Sequence, residues 1–574
     1  MPISPDLRAA LAACDEDRII FDLAGIEERY DSVLRELPGV TVRFAMKACP
    51  VDAVIAALAA RGAGIDAASP QEIAQAVGAS VPVARIHYGN TAKSDRNIAD
   101  AFGLGVRDFA TDSVEDVLAI AAYAPGARVF CRLATTGDGA VWGLSRKFGC
   151  SAPDAVLILQ TARNLDLIPA GLSVHVGSQQ MSADAWRAAF DDLADTIVAL
   201  HKRGILLDHV NLGGGLPALG YLDGLAKPMN PPLDKIFATI REGMQRLTTA
   251  SGSPLDFVIE PGRYLVADHS AIRAHVSRLA SRQSPTGDRE HWLYLSCGRF
   301  NGLYEADELR FPLLFPTHAE PEPETEYVPA IVAGPTCDSD DVFGHARTLT
   351  SVPKKLRSGD PVWIALSGAY AVSYATQGFN GIKPTPCTTI RGARIRLIEP
   401  ADWDGIVELE AETYAALGLS EGRDALISRA RISPDTCFVL DLDQAVAGYV
   451  LAIPYPPQSF PDLSQPETDS RSHHSANLHL HDMVVAPAFR GRGLAKRMLH
   501  HLTQRALDLL FERISLVAVG ESDAFWSAQG FHPHLEVDVP ASYGPHAVYM
   551  STRVQPLPLL KVPASQSTLP PAGP

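Results

Sequence analysis

From Thr41 onward, short apolar runs alternate with longer segments whose apolar residues recur at i, i+3 and i+4. The runs predict strands at 41–48, 64–69, 85–90, 108–113, 127–134, 172–178, 209–215 and 256–266. Segments such as VDAVIAALAARG and DAWRAAFDDLADTIVALHKRG close on glycine and predict the helices between them. Eight such repeats over about 230 residues suit one (β/α)8 TIM barrel, with a doubly wound open sheet as the alternative. A barrel demands that its chemistry gather at the C-terminal ends of the strands. Polar or glycine punctuation falls there: Lys47, Asp66 with Ser69, Asn90, Arg132, His175 with Ser178, Gly213 to Gly215, and Glu260 with Arg263. That placement favours the barrel.

From about 271 to 390 the pattern turns to β-type runs broken by turns (HWLYLSCGRF, VPAIVAG, DPVWIALSG). The expected organisation is α/β multidomain. Residues 35–270 form the barrel. Residues 1–34 and 271–392 form a β-rich domain, sandwich-like or barrel-like. Residues 393–554 form an α+β unit that opens with RIRLIEPADWDGIVELEAETYAAL. The Pro/Ser-rich end, 555–574, reads as a disordered tail, and 316–326 and 454–476 as long loops.

A chain of 574 residues exceeds one core, and 46% hydrophobic with 20% charged residues is ordinary for a soluble protein. No run approaches the roughly 20 apolar residues of a membrane helix. The N-terminus lacks the basic and apolar regions of a signal peptide. Eight cysteines without CxxC spacing point to reduced thiols in a cytoplasmic enzyme, with no zinc signature. A formal charge of -16 disfavours nucleic acid as a partner.

The strand-end residues suggest chemistry as a set. Lys47 lies in an apolar setting (RFAMKACP), where desolvation would lower its pKa and favour a Schiff-base-forming amine. Bare N–H groups of Gly213-Gly214-Gly215 can approach a phosphate. Glu260 could face a pyridine nitrogen, and His175 a ring. Taken singly, each has a plain alternative: a solvated lysine, a turn, a structural Glu–Arg pair, a core histidine.

The ordered blocks FAMKA, GIDAASPQEI, RIHYGN, CRL, GLSRKFG, VHVGS, NLGGGLP, IEPGRY, GPTCDSDD and GAYAVSYATQGFNG resemble the fold-type III, alanine-racemase-like decarboxylases of ornithine, lysine, arginine and diaminopimelate. The resemblance spans roughly 15–390 and implies pyridoxal 5'-phosphate as cofactor. It implies Lys47 as the cofactor-binding lysine, His175 against the ring and Glu260 at the pyridine nitrogen. Ser178, Gly213, Gly214, Gly215, Arg263 and Tyr370 become phosphate ligands, Gly262 a further cofactor-binding residue, and Asp66, Arg132 and Lys147 line the site. It further implies a homodimer with active sites shared across the interface. Cys337 would be the proton donor and Asp338 the partner of the substrate's distal ammonium, both from the second subunit. Tyr304-Glu305 stands where ornithine decarboxylases usually carry Tyr-Asp, so Tyr304 and Glu305 are substrate-binding candidates. The length of the basic amino acid stays open.

In the last unit, Arg490-Gly491-Arg492-Gly493-Leu494-Ala495 fits R-x-x-G-x-A at a helix start, where N–H groups suit a pyrophosphate. With VVAPAFR before it and FWSAQGF after it, the unit resembles the GNAT N-acetyltransferases over roughly 394–554. That implies acetyl-CoA as co-substrate, held by Val484 and residues 490–495. Asp482 and His481 are the candidate bases, with His479 beside them on the strand. Trp526 stands where many members place an acidic tyrosine, which leaves Tyr543 as a substitute. His473 and His474 read as solvated. The expected activity is decarboxylation of L-ornithine or L-lysine to putrescine or cadaverine, then N-acetylation of the diamine. The alternatives are an arginine-type decarboxylase with an independent or non-catalytic GNAT domain, and a regulatory pseudo-decarboxylase.

Overall fold

The computed structural model describes residues 3–143, 147–284, 287–318, 326–344, 349–442, 445–467, 475–491, 493–520 and 522–554. Arg492, His473, His474 and the 555–574 segment lie outside the described residues. The chain divides into two compact units, the first ending at Ile390 and the second beginning at Arg391.

In the first unit eight parallel strands close into a barrel: Val40–Ala45, Gly64–Ala67, Ile86–Tyr88, Asp108–Thr111, Arg128–Arg132, Ile168–Ser173, His209–Asn211 and Asp256–Ile259. Closure comes from the last strand pairing with the first, Phe257 opposite Val40 and Ile259 opposite Val42. That pairing rules out the open sheet. The eighth strand is shorter than its apolar run, because Pro261 and Gly262 interrupt it and Arg263–Val266 turns helical.

Serines set the strand-to-helix junctions. Ser69, Ser94, Ser113, Ser151 and Ser182 each accept a backbone N–H at a helix start, a contribution of about 1 kcal/mol apiece. Beyond the barrel, an eight-stranded sheet is built on the long strand Ser270–Gln283. That strand pairs with Arg18–Asp22, Arg289–Leu295 and Pro361–Ala365.

The second unit is a seven-stranded sheet with a core on each face. Alternate residues of Phe438–Leu442 divide between them, Phe438 and Leu440 to one and Val439 to the other. Leu494–Asp508 covers the first face, and Trp403–Tyr414 with Arg423–Ile432 covers the second. Among the described residues no helix is long and apolar enough to cross a membrane.

Candidate active sites

The barrel mouth encloses a cavity lined by Ala45, Lys47, Asp66, His175, Ser178, Gly214, Gly215, Glu260, Gly262, Arg263 and Tyr370. Closure thus gathers residues from five strand ends and from Tyr370 of the β-rich part. Lys47 keeps half of its side-chain surface open, and its Nζ lies 4.0 Å from Asp66 Oδ2. Its pKa runs opposite to expectation. Desolvation lowers it, but Asp66, Tyr370 and Glu260 together outweigh that and raise it. The resting side chain is therefore an ammonium.

His175 is neutral: burial first, then the charges of Arg132 and Lys47, push it down to about 3. Its Nδ1 accepts the Gly177 N–H at 3.0 Å, so the hydrogen sits on Nε2. The glycine run forms a tight cradle. Gly213 and Gly215 have φ of +67° and +113°. A Cβ on Gly214 would fall 2.9 Å from the Glu260 carbonyl and 3.0 Å from His175 Nε2. Backbone N–H groups and the buried Arg263 at this end suit a phosphate. Lys47 and Glu260 suit the aldehyde and ring nitrogen of the same molecule, so the residues fit pyridoxal phosphate.

Arg263 is buried with its guanidinium over the Trp142 and Tyr370 rings, 4.8 and 4.9 Å from their centroids. Both of its terminal nitrogens bond the Glu305 carboxylate at 2.6 Å, and Nη2 lies 3.3 Å from Ser178 Oγ. Glu305, expected to face the substrate, is paired in the structure with Arg263. Its carboxylate reaches Arg263, 42 residues away in sequence, so any group that binds either side chain must compete with or join this pair. Tyr304 is exposed and packs on Tyr374, outside the cavity lining.

Cys337 is exposed, its N–H bonded to Asn380 Oδ1, and neither it nor Asp338 lines the cavity of its own chain. Arg132 stands at its strand end, held below the usual guanidinium range by burial. Lys147 is exposed over the Phe148 ring. Asn211 and His87 were not anticipated, yet both bond Glu260. Their blocks, NLGGG and RIHYGN, contain them without marking them.

In the second unit the parallel strands Asn477–Val485 and Arg513–Ala518 pair only at 477–479 with 513–515 and then part. The gap opens a cleft of about 420 Å³ lined by His481, Asp482, Val484, Arg490, Ala495, Phe525, Trp526 and Tyr543, with Glu410, Tyr414 and Glu421. The register shifts opposite Leu451 and Ala452, where Asp482 and Leu480 are the partners. His481 is the extra residue, and the bulge lets His481 and Asp482 share the cleft.

Asp482 accepts hydrogen bonds from Tyr414 at 2.6 Å and Tyr449 at 2.5 Å. Burial pushes its carboxyl up to about 7, despite those donors, with Glu421 and Glu410 adding to the rise. His481 is buried on Glu421 and held neutral by burial and by the charge of Arg429. His479 is a core residue bonded to Ser515. Tyr543 donates to the Pro461 carbonyl. Tyr414 and Tyr449 escaped the sequence pattern because they lie on other elements.

Gly491 and Gly493 have φ of +78° and +76°, with nothing near their Cβ positions. The helix Leu494–Asp508 has no side-chain cap. Its first N–H groups face a second hollow of about 510 Å³, lined by Val485, Arg490, Gly491, Gly493, Leu494, Ala495 and Phe525.

Residues 23–267 match the family model of the pyridoxal-binding domain of pyridoxal-dependent decarboxylases, and residues 403–531 that of the GNAT acetyltransferase family. Ornithine decarboxylase of Mus musculus is 28% identical over 381 residues, covering 63% of this chain and 78% of its own length. Lysine/ornithine decarboxylase of Selenomonas ruminantium is 28% identical, covering 64% and 88%. The crystal structure of Vibrio vulnificus lysine/ornithine decarboxylase with putrescine superposes with a TM-score of 0.56 at 27% identity, covering 67% of this chain and 96% of that one.

Proposed function

Since residues 23–267 belong to the fold-type III pyridoxal-dependent decarboxylases and residues 403–531 to the GNAT acetyltransferases, we propose that the chain is a bifunctional enzyme. It decarboxylates L-ornithine or L-lysine to putrescine or cadaverine and then N-acetylates the diamine with acetyl-CoA. One observation carries the coupling. The second cleft is lined by Glu410, Glu421 and Asp482 against Arg490. Although Glu421 is paired with Arg429, the acidic lining suits a cationic amine, which is what the first site would release. Related enzymes have been crystallised with putrescine and cadaverine.

Bound pyridoxal phosphate supplies an electron sink for the pair released as CO2 departs. Around it, Lys47 would hold the aldehyde end and Glu260 the ring nitrogen. His175 would lie against the ring face without competing for a proton. Gly213 to Gly215, Ser178, Arg263 and Tyr370 would hold the phosphate, with Gly262 lining the same cavity. Cys337 and Asp338 of a second subunit would complete the site. Cys337 would deliver a proton to the carbon that lost CO2, and Asp338 would pair with the distal ammonium. The exposure of Cys337 on its own chain supports that assignment.

In the second cleft Asp482, near neutrality in its pKa, is suited to take the proton from the acceptor ammonium. Amide N–H groups of Gly491, Gly493, Leu494 and Ala495 would bind the acetyl-CoA pyrophosphate. The eight cysteines are all free, which supports a reducing, cytoplasmic setting.

Mass spectrometry of products from L-ornithine, L-lysine and L-arginine, with and without acetyl-CoA, tests the scheme. The expected product is an N-acetyl diamine. Acetylated amino acid without loss of CO2 would sink it, and so would free diamine alone in the presence of acetyl-CoA.

A further inference from the structure

The barrel interior carries a chain of charged side chains next to the cavity. Arg43, Asp66, His87, Asp108 and Glu260 meet there. His87, 1% exposed, sits between two carboxylates from other strands. Its Nε2 is 2.9 Å from Glu260 Oε1 and 3.2 Å from Asp66 Oδ1. Carboxylates only accept, so this nitrogen must carry a hydrogen.

Glu260 Oε1 also takes the Asn211 amide at 2.5 Å. With two donors on Oε1, Oε2 is the oxygen left for a ligand in the cavity. Asp66 offers Oδ1 to His87, while its Oδ2 faces Lys47. Space for this arrangement exists because position 89 is glycine; a Cβ there would lie 1.9 Å from Asp66 Oδ1.

Resting on the cofactor reading above, we propose that His87 is a positioning residue of the decarboxylase site. Through a protonated Nε2 it bridges Asp66 and Glu260, holds the carboxylate that meets the ring nitrogen, and couples that end of the cavity to Lys47. Every charged neighbour bears on this. Asp66 and Glu260 favour the imidazolium. Arg43 opposes it, though its own charge is drawn toward Asp108 at 3.8 Å. Lys47 and Arg132 act on Asp66 from the cavity side, and the Phe130 ring packs against the imidazole at 5.2 Å. Burial works against the imidazolium and against the Asp66 carboxylate. The carboxylates outweigh it and raise the His87 pKa, while the His87 hydrogen bond and Lys47 hold the Asp66 carboxyl down at about 2. Without the bridge, the Asp66 and Glu260 carboxylates would face each other, leaving the Asn211 amide on Glu260 and Lys47 beside Asp66 to offset their repulsion.

The test compares wild type, His87→Leu and His87→Gln, with Lys47→Ala marking attachment of the cofactor. Three quantities are read: cofactor Kd by fluorescence quenching, the pH midpoint of the bound cofactor's visible band, and metal content. His87→Leu should raise Kd about tenfold or more, the loss of a buried hydrogen bond to charge. His87→Gln keeps a donor that cannot take a second proton. It should hold Kd within about threefold yet move the pH midpoint.

An unchanged Kd in His87→Leu, or superimposable pH profiles for wild type and His87→Gln, overturns the proposal. The three donor atoms lie within 4.8 Å of one another. One equivalent of tightly bound metal in wild type, absent from His87→Leu, would therefore overturn it too. A wild-type protein with no Lys47-dependent visible band would refute the cofactor reading instead. His87 is then read by NMR of histidine-labelled apo protein, where titration below the ordinary histidine value counts against the bridge.

Discussion

Replacing Glu305 by glutamine keeps the shape of the group on Arg263 and removes its charge. Both side chains are buried, the guanidinium packs over two aromatic rings, and its Nε has no hydrogen-bond partner. Removing one charge of a buried pair costs about 3–5 kcal/mol, because the other is left uncompensated. A unit of roughly 390 residues unfolds with about 2.1 cal/mol/K per residue, so Tm of the apo protein should fall by about 4–6 °C. Glutamine can still accept one hydrogen bond, which places the expected value at the lower end.

The cofactor phosphate would return an anion to Arg263. Saturating pyridoxal phosphate should therefore raise Tm more in Glu305→Gln than in wild type. Differential scanning fluorimetry with and without cofactor measures both quantities. An apo Tm within about 1 °C of wild type, or equal cofactor-induced shifts, refutes the reasoning. A variant with unchanged Tm and a raised KM for the basic amino acid would show that Glu305 reads substrate after all.

Gly214→Ala drives a methyl against the Glu260 carbonyl and His175, so cofactor affinity should drop about tenfold or more, read by fluorescence titration. Asp482 must be ionised to accept a proton, so acetyl transfer should rise as pH increases through about 7. Asp482→Asn should lose that limb and about a hundredfold or more in rate. The same raised carboxyl predicts a stability trend in the second unit. As pH rises past the ordinary aspartate value, the unfolded chain releases this proton while the folded one keeps it, so stability falls until about pH 7 and then levels. Thermal melts across pH should show this, with Asp482→Asn flatter. Lys93 is fully buried and donates to Asp116 and to the carbonyls of Asn90, Thr91 and Ala110. Lys93→Met should cost about 3–5 kcal/mol in chemical denaturation, and near-wild-type stability would show that the pair is dispensable.

Strand period, helix faces and the placement of polar residues at strand ends are local properties. They were readable because side-chain alternation and the glycine and serine punctuation depend on neighbours in the chain. Lys47, His175, the glycine run and Glu260 could therefore be picked out before any fold was known, and the barrel mouth gathers them. The choice of partners was not readable. His87 meets Glu260 because the closed barrel turns both side chains inward, although 173 positions separate them. Glu305 meets Arg263 through the same kind of long-range approach. The ammonium form of Lys47 follows from Asp66 across the cavity, where the apolar flanks alone suggested the opposite. In the second unit one bulged residue, His481, decides which side chains face the cleft, and Tyr414 reaches Asp482 from a different element. Hydrophobic pattern specifies which residues are buried; the geometry of closure specifies which buried charges must satisfy one another, and that is where the chemistry was decided.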